Sequence, residues 1–264
     1  ALLEIGIPFD VLQHDLTEYF VTRSIPGIER DFPLGSMLGN YTLLQAEAQM
    51  DTLRSMYPGF VSQKDSIGAS IEGRTIWAFK VSDNPGIDED EPEVLYTGLT
   101  HAREPLSMMN LFYFVRWLCE NYSSDVTAGF LVDHREMWFV PFINPDGYAY
   151  NETIAPNGGG MHRKNRRPNP DDSNCNDGTD QGVDLNRNYG YQWGPNYSGS
   201  SGNPCSGIYR GTSAFSEPET EAISDFILAR QFKNVLHYHS YSNVLIHSWG
   251  DGTLPDEPDL STLR

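Results

Sequence analysis

The sequence predicts an α/β fold: a mixed, partly parallel central sheet with helices on both faces. Three observations carry this. Residues 75–81, 94–99, 137–143 and 235–241 are short apolar runs with the length and composition of strands. Stretches with helical spacing or helix-start signals lie between them. The resulting alternation of strand and helix is the pattern of a sheet built through helical crossovers.

Taken in order, residues 1–35 differ in texture from the rest of the chain, with prolines and glycines scattered through SIPGIERDFPLGS, and read as a leader segment ahead of one body spanning 36–264. From Tyr41, apolar residues recur at Leu43, Leu44, Ala46, Met50, Leu53 and Met56, close to helical spacing, until Pro58-Gly59 stops the run. The strand at 94–99 ends in the turn Thr100-His101-Ala102-Arg103-Glu104. Pro105 can open the next helix because its missing N–H would have no partner there anyway. That helix, to about Glu120, is apolar almost all round, which predicts burial. Asn144-Pro145-Asp146-Gly147 has the composition of a tight turn. A long polar stretch, 151–211, implies loops that are functional or pinned. Ser216-Glu217-Pro218-Glu219 reads as a capping box for a helix to about Arg230, which assigns both glutamates structural work.

Composition narrows the function. Eighteen Lys and Arg against 36 Asp and Glu give a net charge of −18, the wrong sign for a nucleic-acid or anionic-membrane partner. The most apolar stretch, 111–118, contains Arg116 and is far short of the roughly 20 residues of a spanning helix. Four N-x-S/T sequons, at Asn40, Asn121, Asn151 and Asn196, matter only in a glycosylating source.

Chemistry concentrates where the second strand ends. His101 and Glu104 stand three apart in that turn and can converge on a cation, but a catalytic zinc usually takes three protein ligands and leaves a fourth position for water. The distant third ligand falls in VLHYHSY. His237 and His239 both qualify there, and a period of two puts them on one face, so the pattern alone does not choose between them.

Read together, GLTHAREPLS, FINPDGY, MHRKNRRPN, GVDLNRNYGYQWG, YRGTSAFSEPET and HYHSYSN, in this order, resemble the zinc carboxypeptidases of the carboxypeptidase A type, and especially their bacterial relatives of the carboxypeptidase T type. The resemblance covers about residues 41–264, and residues 1–35 resemble the tail of that family's propeptide. It implies one Zn2+ held by His101, Glu104 and His239, with His237 a structural neighbour. It implies that Asp184 orients His101, that Arg163 steadies the oxyanion, and that Asn186 and Arg187 clamp the substrate's terminal carboxylate, a task that suits a planar guanidinium. Arg103, Ser240 and Tyr241 match further substrate-binding positions, with a cis peptide bond between the last two. Cys175 and Cys205 match a family disulfide, which places the protein in an oxidising compartment, secreted, extracellular or periplasmic. Cys119 is left as a buried free thiol.

Four of the 18 basic residues, Arg163, Lys164, Arg166 and Arg167, fall within five positions, a local positive patch suited to drawing in a carboxylate. Asp171, Asp172, Asn174, Asn176, Asp177 and Asp180 suggest a structural Ca2+ loop. Gly178 falls one position late for the EF-hand pattern, and no Glu closes the loop. The implied substrate is a peptide or protein C-terminus. In the family, the carboxylate that moves the proton and the Tyr that caps the substrate come several tens of residues after the third ligand. Only 25 residues follow His239 here, so both, with the specificity pocket, are expected to lie outside this sequence, on a separate C-terminal fragment or a continuation. Two rivals stand beside this reading: a zinc amidohydrolase acting on small acyl amino acids, and a non-catalytic peptide-binding relative.

Overall fold

The computed structural model describes residues 32–170, 175, 181–194, 199–241, 244–247 and 253–262. Helix α1, Leu43–Met56, begins where the sequence asks for it and carries a capping box: Thr42 Oγ1 accepts from Gln45 N at 3.1 Å, and Gln45 Oε1 accepts from Thr42 N at 3.0 Å. There follow β1, Asp65–Ala69, β2, Thr75–Val81, β3, Glu93–Thr97, α2, Pro105–Asn121, α3, Val126–His134, β4, Glu136–Val140, and α4, Pro145–Ile154. A 3-10 turn at Leu185–Arg187, α5, Pro218–Leu228, β5, Phe232–His237, and a short α6, Asp259–Thr262, complete the described elements.

The five strands lie in the order β1-β2-β4-β3-β5. β1 with β2 and β2 with β4 pair antiparallel, whereas β3 pairs parallel with both β4 and β5. The expected mixed sheet is present, and alternation along the strands assigns its two faces. Phe79, Val81, Met137 and Phe139 turn to one side and bury against α1, α2, α3 and Tyr148 of α4. Ile76, Ala78, Leu95 and Val140 turn to the other and meet Ala222 and Ile223 of α5. α5 presses so close to β1 that a Cβ on Gly68 would sit 2.5 Å from that of Ala222, so only glycine fits there.

Several local expectations give way to packing. β1 and α3 have no counterpart among the expected elements. α3 is announced by Asp125, whose carboxylate caps Thr127 N and Ala128 N. The Asn144–Gly147 segment is the first turn of α4 instead of a free tight turn: Asn144 Oδ1 accepts from Gly147 N at 3.0 Å and Pro145 opens the helix. A type I turn and a helix start share the same dihedrals, so composition does not separate them. The capping box expected at Ser216 is absent. Glu217 is the N-cap residue without a side-chain cap, and Glu219 Oε1 instead accepts from Ile71 N at 3.1 Å, a donor that tertiary packing brings from the β1–β2 turn. The last strand ends at His237, four residues short of the expected 241.

Glu219 is fully buried, and burial pushes its carboxyl up to about 7 despite the Ile71 N–H and the Asn165 amide. Between the ordinary value of 4.5 and about 7, the folded chain keeps a proton that the unfolded chain has released, so stability falls as pH rises through this window. The full effect is on the order of 3 kcal/mol. Thermal melts from pH 5 to 8 should show a loss of stability in the wild type that Glu219→Gln flattens; parallel profiles for the two proteins would contradict this.

Candidate metal centre and carboxylate clamp

Three neighbouring parallel strands, β4, β3 and β5, end at the same edge of the sheet, the usual place for a site in a parallel arrangement. The turn after β3 is cinched. Leu99 adopts φ 51°, a left-handed conformation that costs a leucine of order 1 to 3 kcal/mol. It is held there because Leu99 N donates to Ser107 Oγ, whose hydroxyl donates to Glu104 O at 2.6 Å. His101 and Glu104 are thereby fixed in a buried turn. His239 arrives two residues past the end of β5, where Tyr238 N still donates to Thr97 O.

These three side chains converge. His101 Nδ1 lies 3.0 Å from Glu104 Oε1, His239 Nδ1 lies 2.8 Å from Glu104 Oε2, and the two Nδ1 atoms are 3.1 Å apart. The choice between the two histidines is thereby made by geometry: His237 Nδ1 instead pairs with Thr97 Oγ1 at 2.7 Å.

The donor set suits a zinc ion. Asp184 Oδ1 stands 3.2 Å from His101 Nε2. Burial raises the Asp184 carboxyl, but the His101 hydrogen bond and the charges of His101, Arg163 and Arg187 outweigh it and hold the group below its ordinary value. An ionised carboxylate only accepts, so Asp184 keeps a proton on His101 Nε2, which leaves Nδ1, facing Glu104 and His239, as the nitrogen that would give up its proton to hold a metal. Burial likewise raises Glu104, and hydrogen bonds from His101 and His239 pull it well below the usual carboxylate range. Donors about 2.0 to 2.2 Å from a tetrahedral ion stand roughly 3.3 to 3.6 Å from one another, so the observed cluster is slightly tighter than the loaded geometry requires.

Arg163 reaches the same carboxylate from the other side, with Nε and Nη2 3.2 and 2.9 Å from Asp184 Oδ2 and Nη1 4.0 Å from Glu104 Oε1. Asn186 and Arg187 come directly after it, because Asp184 caps the 3-10 turn by accepting from Asn186 N. Arg187 Nε donates to Gly199 O at 2.6 Å and Nη1 to Asn186 O at 2.9 Å, which orients the guanidinium. A disulfide joins Cys175 to Cys205, and Lys164 Nζ donates to Pro204 O and Ser206 O on either side of Cys205. Closing a loop of this length contributes roughly 3 to 4 kcal/mol on a chain-entropy argument. Cys119 is a buried free thiol, its pKa pushed up to about 12 by burial.

Not every expectation holds. The basic patch is largely spent inside the fold: Lys164 is buried, Arg167 pairs with the buried Glu217 at 2.6 Å, and Arg166 stacks 3.8 Å from the Tyr150 ring centroid. The buried Glu217 needs the Arg167 cation as its partner. The Ser240–Tyr241 peptide bond is trans; among the described residues, Glu257-Pro258 is the cis bond. A non-proline cis bond costs about 2.5 to 4 kcal/mol and needs enclosing structure, and Tyr241 is 84% exposed. Arg103 is also exposed, and Ser240 is half-buried. The calcium-like cluster lies outside the described residues. Sequence reading missed Ser107 as the clasp of the turn and Asn188, whose buried side chain accepts from Thr220 Oγ1 and donates to Arg210 O and Ser213 O behind Arg187.

A sequence profile of peptidase M14, described as zinc carboxypeptidase, matches residues 46–264. The chain belongs to this zinc carboxypeptidase family. Family membership implies a zinc ion, which the geometry accommodates. A zinc carboxypeptidase of Saccharothrix mutabilis subsp. capreolus is 39% identical over 62% of this chain and 35% of its own length. A metallocarboxypeptidase A of Arthroderma otae is 36% identical over 69% of this chain and 41% of its own. Carboxypeptidase B of Astacus astacus is 34% identical over 83% of this chain and 68% of its own. The chain thus spans well under half the length of the first two relatives. Among solved structures, the carboxypeptidase A of Helicoverpa armigera superposes with a TM-score of 0.69 at 29% identity, covering 82% of this chain and 49% of that one. Bovine thrombin-activatable fibrinolysis inhibitor does so with 0.66 at 27% identity, covering 83% and 67%.

Asp184 is the group on which the His101 tautomer rests. Asp184→Asn should lower zinc affinity about 10- to 100-fold, read by competition with a chromogenic chelator. Unchanged affinity would contradict the assignment.

Proposed function

We propose that the protein is a zinc-dependent exopeptidase that hydrolyses the C-terminal peptide bond of peptides and proteins. The observation that carries this reading is the Arg163 guanidinium held on Asp184 beside the His101, Glu104 and His239 cluster, with the charge of the nearby Arg187 also acting on that carboxylate. Such an arrangement can bind a metal and a carboxylate-bearing substrate together.

Bound zinc supplies polarisation of the scissile carbonyl and a water acidified towards a pKa of ~7. The chain's own residues orient the ligands and bind the substrate. Asp184 fixes the His101 tautomer and anchors one edge of Arg163. Arg163 Nη1, facing Glu104, is placed to stabilise negative charge developing on the carbonyl oxygen, an interaction stronger in the transition state than in the ground state. Arg187, oriented by Gly199 O, and Asn186 hold the terminal carboxylate, so that cleavage is confined to the last residue. Arg103, Ser240 and Tyr241, on the flanks of the ligand positions, take part in substrate binding. The disulfide supports an extracellular or periplasmic setting. No helix among the described residues is long and apolar enough to cross a membrane. Residues 1–35 act as a propeptide tail and 36–264 carry the catalytic domain, a division supported by a family match that begins at residue 46.

The full-length protein should release the last residue from a peptide with a free α-carboxylate, stop on chelation and recover with zinc, and leave the C-terminally amidated peptide intact. Arg187→Ala should raise KM about 10- to 100-fold, the loss of one charge-assisted hydrogen-bond pair. Equal cleavage of the amidated peptide, or cleavage at internal bonds, would contradict the reading.

A further inference from the structure

Helix α4 carries two buried asparagines, Asn144 at its N-cap and Asn151 two turns later on the same face, 0% and 1% exposed. Asn144 Nδ2 donates to Thr100 O at 3.3 Å and to Lys164 O at 3.0 Å. Asn151 Nδ2 donates to Ala102 O at 3.0 Å and to His162 O at 2.9 Å. Each amide therefore takes one carbonyl from the metal-ligand turn and one from the Arg163 loop. The four carbonyls are those immediately before and after His101 and immediately before and after Arg163. Between the two asparagines, Gly147 lets the helix close on both loops: a Cβ there would lie 2.4 Å from Lys164 O and 2.8 Å from Ala102 Cβ. One direct bond, Ala102 N to Arg163 O at 3.0 Å, joins the loops themselves.

We propose that Asn144 and Asn151 are positioning residues, which fix the Arg163 guanidinium relative to the metal ligands by bridging their two loops from a rigid helix. Helix capping does not account for the pattern. The cap of Asn144 is made by Oδ1 accepting from Gly147 N, which leaves its Nδ2 for the two loop carbonyls. Asn151 lies inside the helix, and its Oδ1 accepts from His162 N at 2.9 Å, so that its whole amide is committed to the two loops. An apolar residue at either place would leave two buried carbonyls short of a donor, and the loops would lose their common reference. The same commitment makes the Asn151 sequon a poor acceptor for a glycan.

The proposal rests on the carboxypeptidase reading only for its kinetic readout. Asn144→Ser keeps a capping oxygen but removes the bridging amide, and Asn151→Ala removes the other. Val132→Ala, a buried position in α3, serves as a control for lost stability. In protein loaded with Co(II), the visible bands of Asn144→Ser and Asn151→Ala should shift or weaken, because the carbonyls on either side of His101 are released, while Val132→Ala leaves them at wild type. With zinc and a C-terminal peptide, both asparagine variants of the full-length protein should lose about 10- to 100-fold in kcat with KM within about twofold. If both variants keep the wild-type cobalt spectrum and kcat while melting lower, as Val132→Ala does, the proposal is overturned. If the full-length wild type turns over no peptide but the cobalt bands still single out the asparagine variants, the bridging role stands and the carboxypeptidase reading fails.

Discussion

Two imidazole nitrogens 3.1 Å apart, each within 3.0 Å of a carboxylate oxygen, bring lone pairs together at a point where only positive charge can reconcile them. A mobile surface would relax by turning one ring away. Here two of the three groups are held from outside the cluster: His101 is tied through Nε2 to a buried Asp184, and Glu104 sits in a turn clasped by Ser107. The electrostatics are internally consistent. Asp184 is kept charged by Arg163 and His101, and Glu104 by the two histidines, so the acidic side of the cluster stays ready for a cation.

The sheet explains how residues 138 positions apart meet. β3 and β5 are parallel neighbours, so their carboxyl ends lie at one edge, and His101 and His239 are delivered there by strand direction alone. β4, on the other side of β3, delivers Asn144 to the same edge, and with it the helix that spans both functional loops. The buried ionic groups of the scaffold serve the same end. Glu217 pairs with Arg167 and accepts from Asn165, which holds the downstream side of the Arg163 loop to the start of α5. Arg230 reaches Glu136 and Glu93 and ties the end of α5 to the first residues of β3 and β4. Such pairs are a weak source of stability once desolvation is counted, and their value here lies in fixing loop positions.

Much of this is legible in the residues alone. The apolar strand run at 75–81 and the apolar helix opened by Pro105 stand where the sequence puts them, because sustained apolar runs of strand or helix length report burial directly. The metal turn is legible because His101 and Glu104 are close in sequence. The third ligand is not, since His237 and His239 share a face and only the end of β5, set by tertiary context, separates them. What the sequence hides depends on distant partners. Glu219 leaves its expected cap for Ile71 N, Lys164 goes inward to the carbonyls beside Cys205, and the Asn144 and Asn151 amides find acceptors in two loops at once. None of these choices leaves a local periodicity. The trans bond at Ser240 shows the reverse failure, where resemblance supplies a strained geometry that the surroundings of an exposed Tyr241 do not enforce.

The account stands or falls on the identity of the metal ligands. The most direct measurement is a crystal structure of the zinc-loaded protein with an anomalous difference map recorded at the zinc edge. The account predicts one strong peak bonded to Nδ1 of His101, Nδ1 of His239 and the Glu104 carboxylate, with Asp184 still on His101 Nε2. A peak ligated by His237, or zinc bound through His101 Nε2 with Asp184 displaced, would contradict it.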